Sequence, residues 1–393
     1  MVLFLHNRYR TTGGEERVLE DLLWLVREHL GESAQLLARG SGSLSRPTAA
    51  AALLRGGQSP REVAQAVRLG AARVVHAHNL QPAFGWRALA AARAAGARVV
   101  LHLHQYRLVC AIGVCYTRGA ECMRCHGRRT LPGVLLNCRG STGEALTYAA
   151  SLSLWQRRMV AQADALIVPS AFARERLREL GAPLPWERVH VLAPPLRALD
   201  EGSPQPARGP ALPSQGAYAL VASRLAPEKG VDVAISACRR LGLPLVVAGE
   251  GPEQESLRRG AQGADVRLLG RVDDARLARL RAGAAVAVVP SRSAETFGLA
   301  AAEAMAAGVP VAASRVGALP ELVEEQGLAA AGDADALAAA ISSQLSDPRA
   351  GERGRERVRA VCSPATIAAR LGAIYGDGSE PHKLRSCPPP ATP

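Results

Sequence analysis

Two cationic side chains follow a short apolar run in the second half of the chain. Arg224 comes directly after the run at 219–222, and Lys229 lies five positions later, before Gly230 and a helical pattern over 231–241. A strand ending here would bring both cations and the free N–H groups of a helix start to one edge of a sheet. The planar fork of arginine, the point charge of lysine and unpaired amides together suit a diphosphate.

The lysine is unusual in this chain. The sequence has 48 Lys and Arg residues, and only Lys229 and Lys383, which lies in the tail, are lysine. So strong a preference for arginine, with abundant alanine, is typical of coding bias. A lysine retained at position 229 therefore favours selection of its compact ammonium group, and the alternative is chance.

Two glutamates with seven residues between them, Glu295 and Glu303, follow the apolar run at 284–289. A helix that begins around 297–298 would leave Glu295 in a loop and place Glu303 about one and a half turns into the helix. Glu303 could then accept hydrogen bonds from a ribose diol, and Glu295 could contact a sugar hydroxyl or a developing positive centre. The alternative is one glutamate favoured by the helix dipole and one that is merely solvated. The amides expected to receive phosphate oxygens are those of Thr296, Phe297, Gly298 and Leu299.

These motifs in combination resemble the family 4 retaining glycosyltransferases of GT-B fold. They are Arg224…Lys229-Gly230, Gly249-Glu250-Gly251-Pro252 and Glu-x-Phe-Gly-x4-Glu from Glu295 to Glu303. The resemblance spans residues 1 to 375 and implies a nucleoside diphosphate sugar held by the second half. It implies that Arg224 and Lys229 bind the diphosphate, that Glu303 binds the ribose and that Glu295 contacts the transferred sugar.

The first half contributes a glycine pair and a histidine. Gly13 and Gly14, within Thr11-Thr12-Gly13-Gly14-Glu15-Glu16, resemble the family's first-domain loop that faces donor phosphate and acceptor; a tight turn is the alternative. The run at 99–104 predicts a strand with His102 and His104 on one face and His104 at its carboxyl end. The resemblance implies that His104 contacts the donor sugar, although Gln105 replaces the Asp common in the family. His76-Ala77-His78-Asn79 could line the acceptor side.

Five of the eight cysteines lie between residues 110 and 138, close to His126. A C-x2-C pair with further cysteines nearby predicts a structural tetrahedral Zn²⁺ site, and free thiols or a disulfide loop are the alternatives. A Cys-rich insertion also occurs in a subset of the family that the chain resembles. The candidate ligands, among which the sequence does not choose four, are Cys110, Cys115, Cys122, Cys125 and Cys138.

Apolar runs that alternate with helical patterns predict an α/β protein of two doubly wound, Rossmann-like domains facing a cleft. A proline-rich stretch without periodicity separates the two halves. The predicted organisation is an N-terminal acceptor-side domain at 1–193 with the insertion at 110–138, a linker at 194–216, a nucleotide-sugar-binding domain at 217–362, a final helix at 363–375 and a disordered tail at 376–393.

The composition limits the classes of protein to which the chain could belong and the cellular compartment in which we expect it. With 48% hydrophobic and 21% charged residues the chain is neither disordered nor fibrous. No signal-peptide core or membrane-length apolar run is present, which predicts a cytoplasmic protein. A helical stretch at 152–161 carries Trp155 beside Arg157 and Arg158, so contact with the inner face of the membrane is one interpretation and a solvated face with a buried Trp is the other.

The sequence therefore predicts transfer of a sugar to an acceptor hydroxyl, with retention inherited from the resemblance. The acceptor could be a glycan, a glycolipid or a small molecule, in polysaccharide, glycolipid or natural-product biosynthesis. No metal is expected in catalysis, since Arg224, Lys229 and the helix start would neutralise the departing diphosphate without one. The net charge of +13 with the cysteine cluster leaves a zinc-containing nucleic-acid binder as the alternative, although aromatic residues make up only 4%. This chain lacks the glycine-rich fingerprint of nicotinamide-dependent oxidoreductases, which speaks against that class of enzyme.

Overall fold

A computed structural model describes residues 1–8, 13–200 and 217–376 and contains two six-stranded sheets, each wholly parallel. The first half comprises β1 (Val2–Arg8), β2 (Ala34–Gly40), β3 (Val74–Ala77), β4 (Arg98–His102), a hairpin of β5 (Tyr116–Thr117) and β6 (Ala120–Glu121), β7 (Ala165–Val168) and β8 (Val189–Val191). The second half comprises β9 (Ala219–Ala222), β10 (Leu245–Ala248), β11 (Val266–Leu268), β12 (Val286–Val289), β13 (Val311–Ser314) and β14 (Leu328–Ala329).

The strand order explains where a ligand could bind. The sheets run β2-β1-β3-β4-β7-β8 and β11-β10-β9-β12-β13-β14. In each, the order reverses beside the first strand, between β1 and β3 and between β9 and β12. Doubly wound sheets bind ligands at the carboxyl ends of the strands at such a reversal. The predicted fold class, two Rossmann-like domains, is confirmed.

Helices connect the strands as the alternating pattern predicts. In the first half they are α1 (Gly14–Glu28), α2 (Arg46–Arg55), α3 (Pro60–Leu69), α4 (Gly85–Ala94), α5 (Leu131–Leu135), α6 (Thr142–Ala161) and α7 (Ala171–Glu179). In the second half they are α8 (Val231–Leu241), α9 (Gln254–Gly260), α10 (Asp274–Gly283), α11 (Leu299–Ala306), α12 (Leu319–Leu322), α13 (Ala334–Ser346), α14 (Ala350–Cys362) and α15 (Pro364–Tyr375). Among the helices of the described residues, none has both the length and the apolar character needed to cross a bilayer.

Two predicted boundaries shift at the site. The strand predicted at 99–104 ends at His102, so His104 lies in the loop after β4 rather than within the strand. The helix expected from 297–298 begins at Leu299, because Gly298 adopts a left-handed φ of 95° that ends the loop. A Cβ at Gly298 would lie 2.6 Å from Leu319 Cδ2, so both backbone and space require glycine at this turn.

The last helix joins the two halves. Tyr375, at the end of α15, donates or accepts a 2.6 Å hydrogen bond with His76 of the first sheet. Arg73 and Arg98, next to β3 and in β4, donate to the carbonyls of Tyr375 and Ile374 at 2.8 and 3.0 Å. These contacts seat α15 on the N-terminal sheet. The linker and tail predictions fall largely on residues 201–216 and 377–393, which lie outside the described residues.

Candidate active site

One cleft of about 2390 Å³ lies between the two sheets, at the carboxyl ends of their strands. Eleven of the predicted site residues line it, whereas Thr11 and Thr12 of the glycine loop lie outside the described residues. Residues 76–79, which the sequence suggested for the acceptor side, are buried and do not line this cleft. Those lining residues are Gly13, Gly14, His104, Arg224, Lys229, Glu295, Thr296, Phe297, Gly298, Leu299 and Glu303. The structure thus brings them to one place, and their individual roles stay predictions.

The cations follow β9 as expected, but each has a carboxylate partner that the sequence did not reveal. Arg224 forms an ion pair with Glu228, and its side chain is about half exposed to the cleft. Lys229 ends a 3-10 turn over Pro227–Lys229, and its Nζ lies 2.6 Å from Glu295 Oε1. Both cations are therefore in ion pairs with carboxylates before any ligand binds, and their side chains lie at the surface of the cleft.

Glu295 is held by two donors from its own half. Besides Lys229, the Ser291 hydroxyl donates to Glu295 Oε1 at 2.6 Å. Burial raises the pKa of Glu295, but the charge of Lys229 and the hydrogen bonds from Lys229 and Ser291 outweigh burial, so the pKa lies below its usual value. Glu295 is thus a carboxylate at neutral pH, the form that accepts hydroxyl hydrogen bonds.

The start of α11 presents unpaired backbone amides to the cleft. The first helical N–H groups have no intrahelical acceptor, and the helix dipole favours an anion at this end. The glycine loop of the first half approaches the same point, because a Cβ on Gly14 would lie 3.2 Å from Leu299 Cδ2. A larger residue at position 14 would crowd the place where the two halves meet.

Glu303 forms ion pairs with arginines, whereas the sequence predicts a carboxylate that is free to accept hydrogen bonds from a ribose. Arg281 of α10 pairs with one oxygen of Glu303, and both side chains are largely buried. Arg17 of α1 lies 3.9 Å from the other oxygen and 2.6 Å from Asp274. Both arginines are distant from Glu303 in sequence, so only the packed structure shows that Glu303 lies between them.

His104 touches both halves. Its Nε2 lies 2.7 Å from Nδ1 of His78, and its carbonyl accepts a 2.8 Å hydrogen bond from the Thr296 hydroxyl. Burial, followed by the charges of neighbouring histidines, holds the pKa of His104 well below its usual value. The ring is neutral, and its Nε2 is held by His78. The sequence assigns His78 to the acceptor side and does not link it to His104.

The predicted zinc site is not supported. Cys110, Cys115, Cys122, Cys125 and Cys138 line one small cavity as free thiols. Within the part of the chain that the structure describes, however, no three of these thiols and His126 bring ligand atoms within 4.8 Å of one another. A hydrogen bond from Cys115 lowers the pKa of Cys110 to about 6, and Cys125 donates weakly to the Thr130 carbonyl at 3.9 Å.

Trp155 faces protein rather than open surface. Its Nε1 donates to the carbonyls of Leu53 and Leu54, both at 3.1 Å, and its ring lies 5.8 Å from that of Trp86. Arg158 lies over both indole rings. These contacts use the polar edge and one ring face of Trp155, so they give the membrane interpretation of this residue no support.

Both halves match known family models. Residues 23–195 match the glycosyl transferase 4-like domain, and residues 207–361 match glycosyl transferases group 1. The chain is similar to a glycogen synthase of Mycobacterium tuberculosis (strain CDC 1551 / Oshkosh), 35% identical over 235 residues that cover 55% of each protein. A GDP-mannose-dependent alpha-(1-6)-phosphatidylinositol dimannoside mannosyltransferase of M. tuberculosis (strain ATCC 25177 / H37Ra) is 33% identical over 236 residues, covering 55% of this chain and 60% of that protein. The chain thus spans about half the length of the curated relatives it matches.

Solved structures agree on the fold. The structure of Anabaena Alr3699/HepE in complex with UDP and glucose superposes with a TM-score of 0.62 at 18% identity, covering 95% of this chain and 98% of that one. Sucrose-phosphate synthase from Thermosynechococcus elongatus gives a TM-score of 0.66 at 21% identity, with the same coverage. The nucleic-acid-binding alternative gains no support from any of these similarities. The two domain matches and the glycosyltransferase relatives support a family 4-like glycosyltransferase, and the two facing Rossmann-like domains agree with a GT-B fold.

Proposed function

We propose that the chain transfers a glycosyl group from a nucleoside diphosphate sugar to an acceptor hydroxyl, with the anomeric configuration retained. The observation that carries this proposal is the meeting of Arg224, Lys229 and the start of α11 in one cleft between two sheets. Two cations and a set of free amides match the charge and the oxygens of a diphosphate.

The reaction breaks the bond between the anomeric carbon and the diphosphate oxygen and forms a bond from that carbon to the acceptor oxygen. The acceptor's proton leaves with the departing diphosphate. Among the described residues of the cleft, no side chain stands out as a nucleophile, so we favour attack from the face that the leaving group vacates, with the leaving phosphate accepting the proton. Retention follows from that geometry.

Stabilisation of the leaving group is the main task of the protein in this scheme. Lys229 has three N–H donors and uses one on Glu295, so two remain for phosphate oxygens. Arg224 is half exposed beside them. Preorganised donors of this kind contribute roughly 3–4 kcal/mol each in other enzymes. The scheme assigns no step to a metal ion.

The first half would hold the acceptor and cover the sugar. His104 lies across the cleft from Glu295, and the His104 carbonyl accepts a hydrogen bond from the Thr296 hydroxyl. The two halves are therefore in contact beside the proposed sugar site. Closure of the halves would exclude water and so limit hydrolysis of the donor.

The substrate class is narrowed by the relatives. Glycogen synthase and GDP-mannose-dependent mannosyltransferases are among the curated relatives, and solved neighbours carry UDP or ADP. These support a hexosyl donor and a glycan or glycolipid acceptor. The base and the sugar are left open by the residues that line the cleft.

A melting-temperature panel tests the donor proposal. We expect UDP, GDP or ADP, alone or as its hexose derivative, to raise the melting temperature by several degrees, because a ligand that binds only the folded state stabilises it. The nucleoside without phosphates serves as the matched control and should give a much smaller shift. Equal shifts for nucleoside and diphosphate, or none for any diphosphate, would contradict a diphosphate site.

We infer a peripheral membrane contact at a surface different from Trp155. Four leucines on α5 and α6 are half exposed or more, and the exposed Arg128 and Arg129 precede α5. Apolar side chains beside basic ones suit an anionic bilayer surface. The leucines are Leu131, Leu135, Leu146 and Leu154.

Vesicle sedimentation tests this contact. Leu131→Ser with Leu135→Ser should lower binding to vesicles that contain phosphatidylglycerol, and Leu69→Ser, an exposed leucine at the end of α3, should not. Unchanged binding by the double variant, or no binding by the wild type, would remove the proposal.

A further inference from the structure

Five of the nine histidines of the chain gather at the carboxyl edge of the first sheet. They come from β1, β3, β4 and the loops that follow them, and the proposed transfer gives a direct role to His104 alone. The five are His6, His76, His78, His102 and His104. Three of them, His76, His78 and His102, each offer one ring nitrogen within 4.8 Å of the others.

The outer nitrogens of two of these rings are already held. Nδ1 of His76 lies 2.6 Å from the Tyr375 hydroxyl, and Nδ1 of His78 lies 2.7 Å from His104 Nε2. In each ring this leaves Nε2 facing the cluster. Metal-binding imidazoles are commonly fixed in the same way, with a hydrogen bond at one nitrogen and the ion at the other.

The spacing of the inner nitrogens fits an ion better than a hydrogen bond. Nδ1 of His102 lies 3.3 Å from Nε2 of His76, whereas hydrogen bonds from N–H groups cluster near 2.9–3.0 Å. Two imidazole nitrogens at 2.0–2.1 Å from a tetrahedral Zn²⁺ are themselves about 3.3–3.4 Å apart. The observed separation therefore matches two ligands of one tetrahedral ion.

The cluster borders a small cavity with a mainly apolar wall. His78 and His102 line this cavity of about 60 Å³, and each is only 3% exposed. Nε2 of His78 is buried with no hydrogen-bond partner, as are the Oε1 atoms of Gln81 and Gln156, which line the same cavity. Nε2 of His102 is also unpaired, and it is the ring nitrogen other than the Nδ1 that approaches His76. One water needs about 30 Å³, so the space admits an ion with a water. Four unpaired buried atoms around one space indicate a polar occupant.

We propose that Nε2 of His76, Nε2 of His78 and Nδ1 of His102 bind one divalent transition-metal ion of the Zn²⁺ type, with a water as the fourth ligand. Imidazole is a preferred ligand of such ions. Neither Tyr375 nor His104 touches the ion; they orient its ligands from outside. The proposal is independent of the transferase activity.

Cobalt titration of metal-free protein tests the site. We expect one equivalent of Co²⁺ per chain, with visible ligand-field absorption, and a melting temperature that rises on loading. His102→Gln should lose this binding, whereas the matched control His190→Gln, on β8 away from the cluster, should keep it. No bound metal, or equal binding by His102→Gln, would overturn the proposal and leave an imidazole network filled by water.

Two further variants keep the test decisive. Cys122→Ser with Cys125→Ser should bind Co²⁺ as the wild type does and without thiolate charge-transfer absorption; loss of binding here would assign the ion to the cysteines instead.

Tyr375→Phe leaves all three ligands in place and removes only the outer hydrogen bond of His76. It should weaken metal affinity by about 10- to 100-fold, the usual effect of losing such a partner. Unchanged affinity in Tyr375→Phe would count against His76 as a ligand.

Discussion

Lys229→Ala should lower kcat for sugar transfer by roughly 10²- to 10³-fold, which corresponds to about 3–4 kcal/mol of transition-state stabilisation. The effect is expected on kcat because the negative charge on the diphosphate grows as the bond to the sugar breaks. A donor that meets this growing charge acts more strongly on the transition state than on the bound substrate. Initial rates at saturating and limiting donor separate kcat from KM.

The same substitution has a second, independent consequence. Glu295 keeps a lowered pKa because Lys229 offsets the cost of burial. Without that charge burial dominates, so the pKa of Glu295 in Lys229→Ala should lie above that of the wild type. The acid limb of the pH–rate profile should therefore move to higher pH in the variant, since the carboxyl group is protonated over a wider range.

Three controls separate chemistry from folding. Lys383→Ala removes the other lysine of the chain and should leave kcat unchanged. Lys229→Arg restores the charge with a different shape and should recover only part of the rate. The melting temperature of Lys229→Ala without ligand should fall, because Glu295 stays buried and loses its cation, so rates are compared at a temperature at which both proteins are folded. Near-normal kcat in Lys229→Ala would remove the diphosphate assignment.

The parts of the site that depend on local sequence could be predicted. Arg224 and Lys229 follow a buried apolar strand within a few residues, and Glu295 precedes a helix that Gly298 starts. Strand ends and helix starts are properties of short segments, so the residues they carry can be assigned to one edge of a sheet without knowing the packing. The structure places these residues in one cleft.

The partners of those residues could not be predicted. Arg281 reaches Glu303 from another helix, and Arg17 reaches it from the other half of the chain. Such contacts arise from tertiary packing, which leaves no periodic signal. The strand β2 was missed for a related reason: it lies at the sheet edge with mostly half-exposed residues, so it shows no continuous apolar run.

The histidine cluster is an intermediate case. His76 and His78 lie at the end of β3, and His102 and His104 at the end of β4. Each pair was recognised separately, and no sequence signal says that β3 and β4 are neighbours. Once the sheet order places them side by side, their period-2 spacing puts the rings on one face, and the two pairs meet.

Glu303→Gln tests whether Glu303 binds the ribose, and we expect it to lower the affinity for the donor nucleotide strongly. The amide keeps the volume and one acceptor oxygen facing Arg281, but it loses the charge that would strengthen a bond to a ribose hydroxyl. A hydrogen bond to a charged group contributes about 1.5–3 kcal/mol, so the affinity for the nucleoside diphosphate should fall by roughly 10- to 150-fold. Calorimetric titration measures this directly.

Comparison with the 2′-deoxy nucleoside diphosphate distinguishes ribose binding from a structural role. If Glu303 accepts from the diol, the wild type should prefer the ribose form and Glu303→Gln should lose most of that preference, because ligand and protein changes remove the same contact. Glu352→Gln, on the exposed surface of α14, should keep the wild-type preference. A Glu303→Gln protein that binds both ligands more weakly by the same factor would instead mean that the Glu303–Arg281 pair only supports the cleft wall, because packing alone cannot sense one hydroxyl of the ligand.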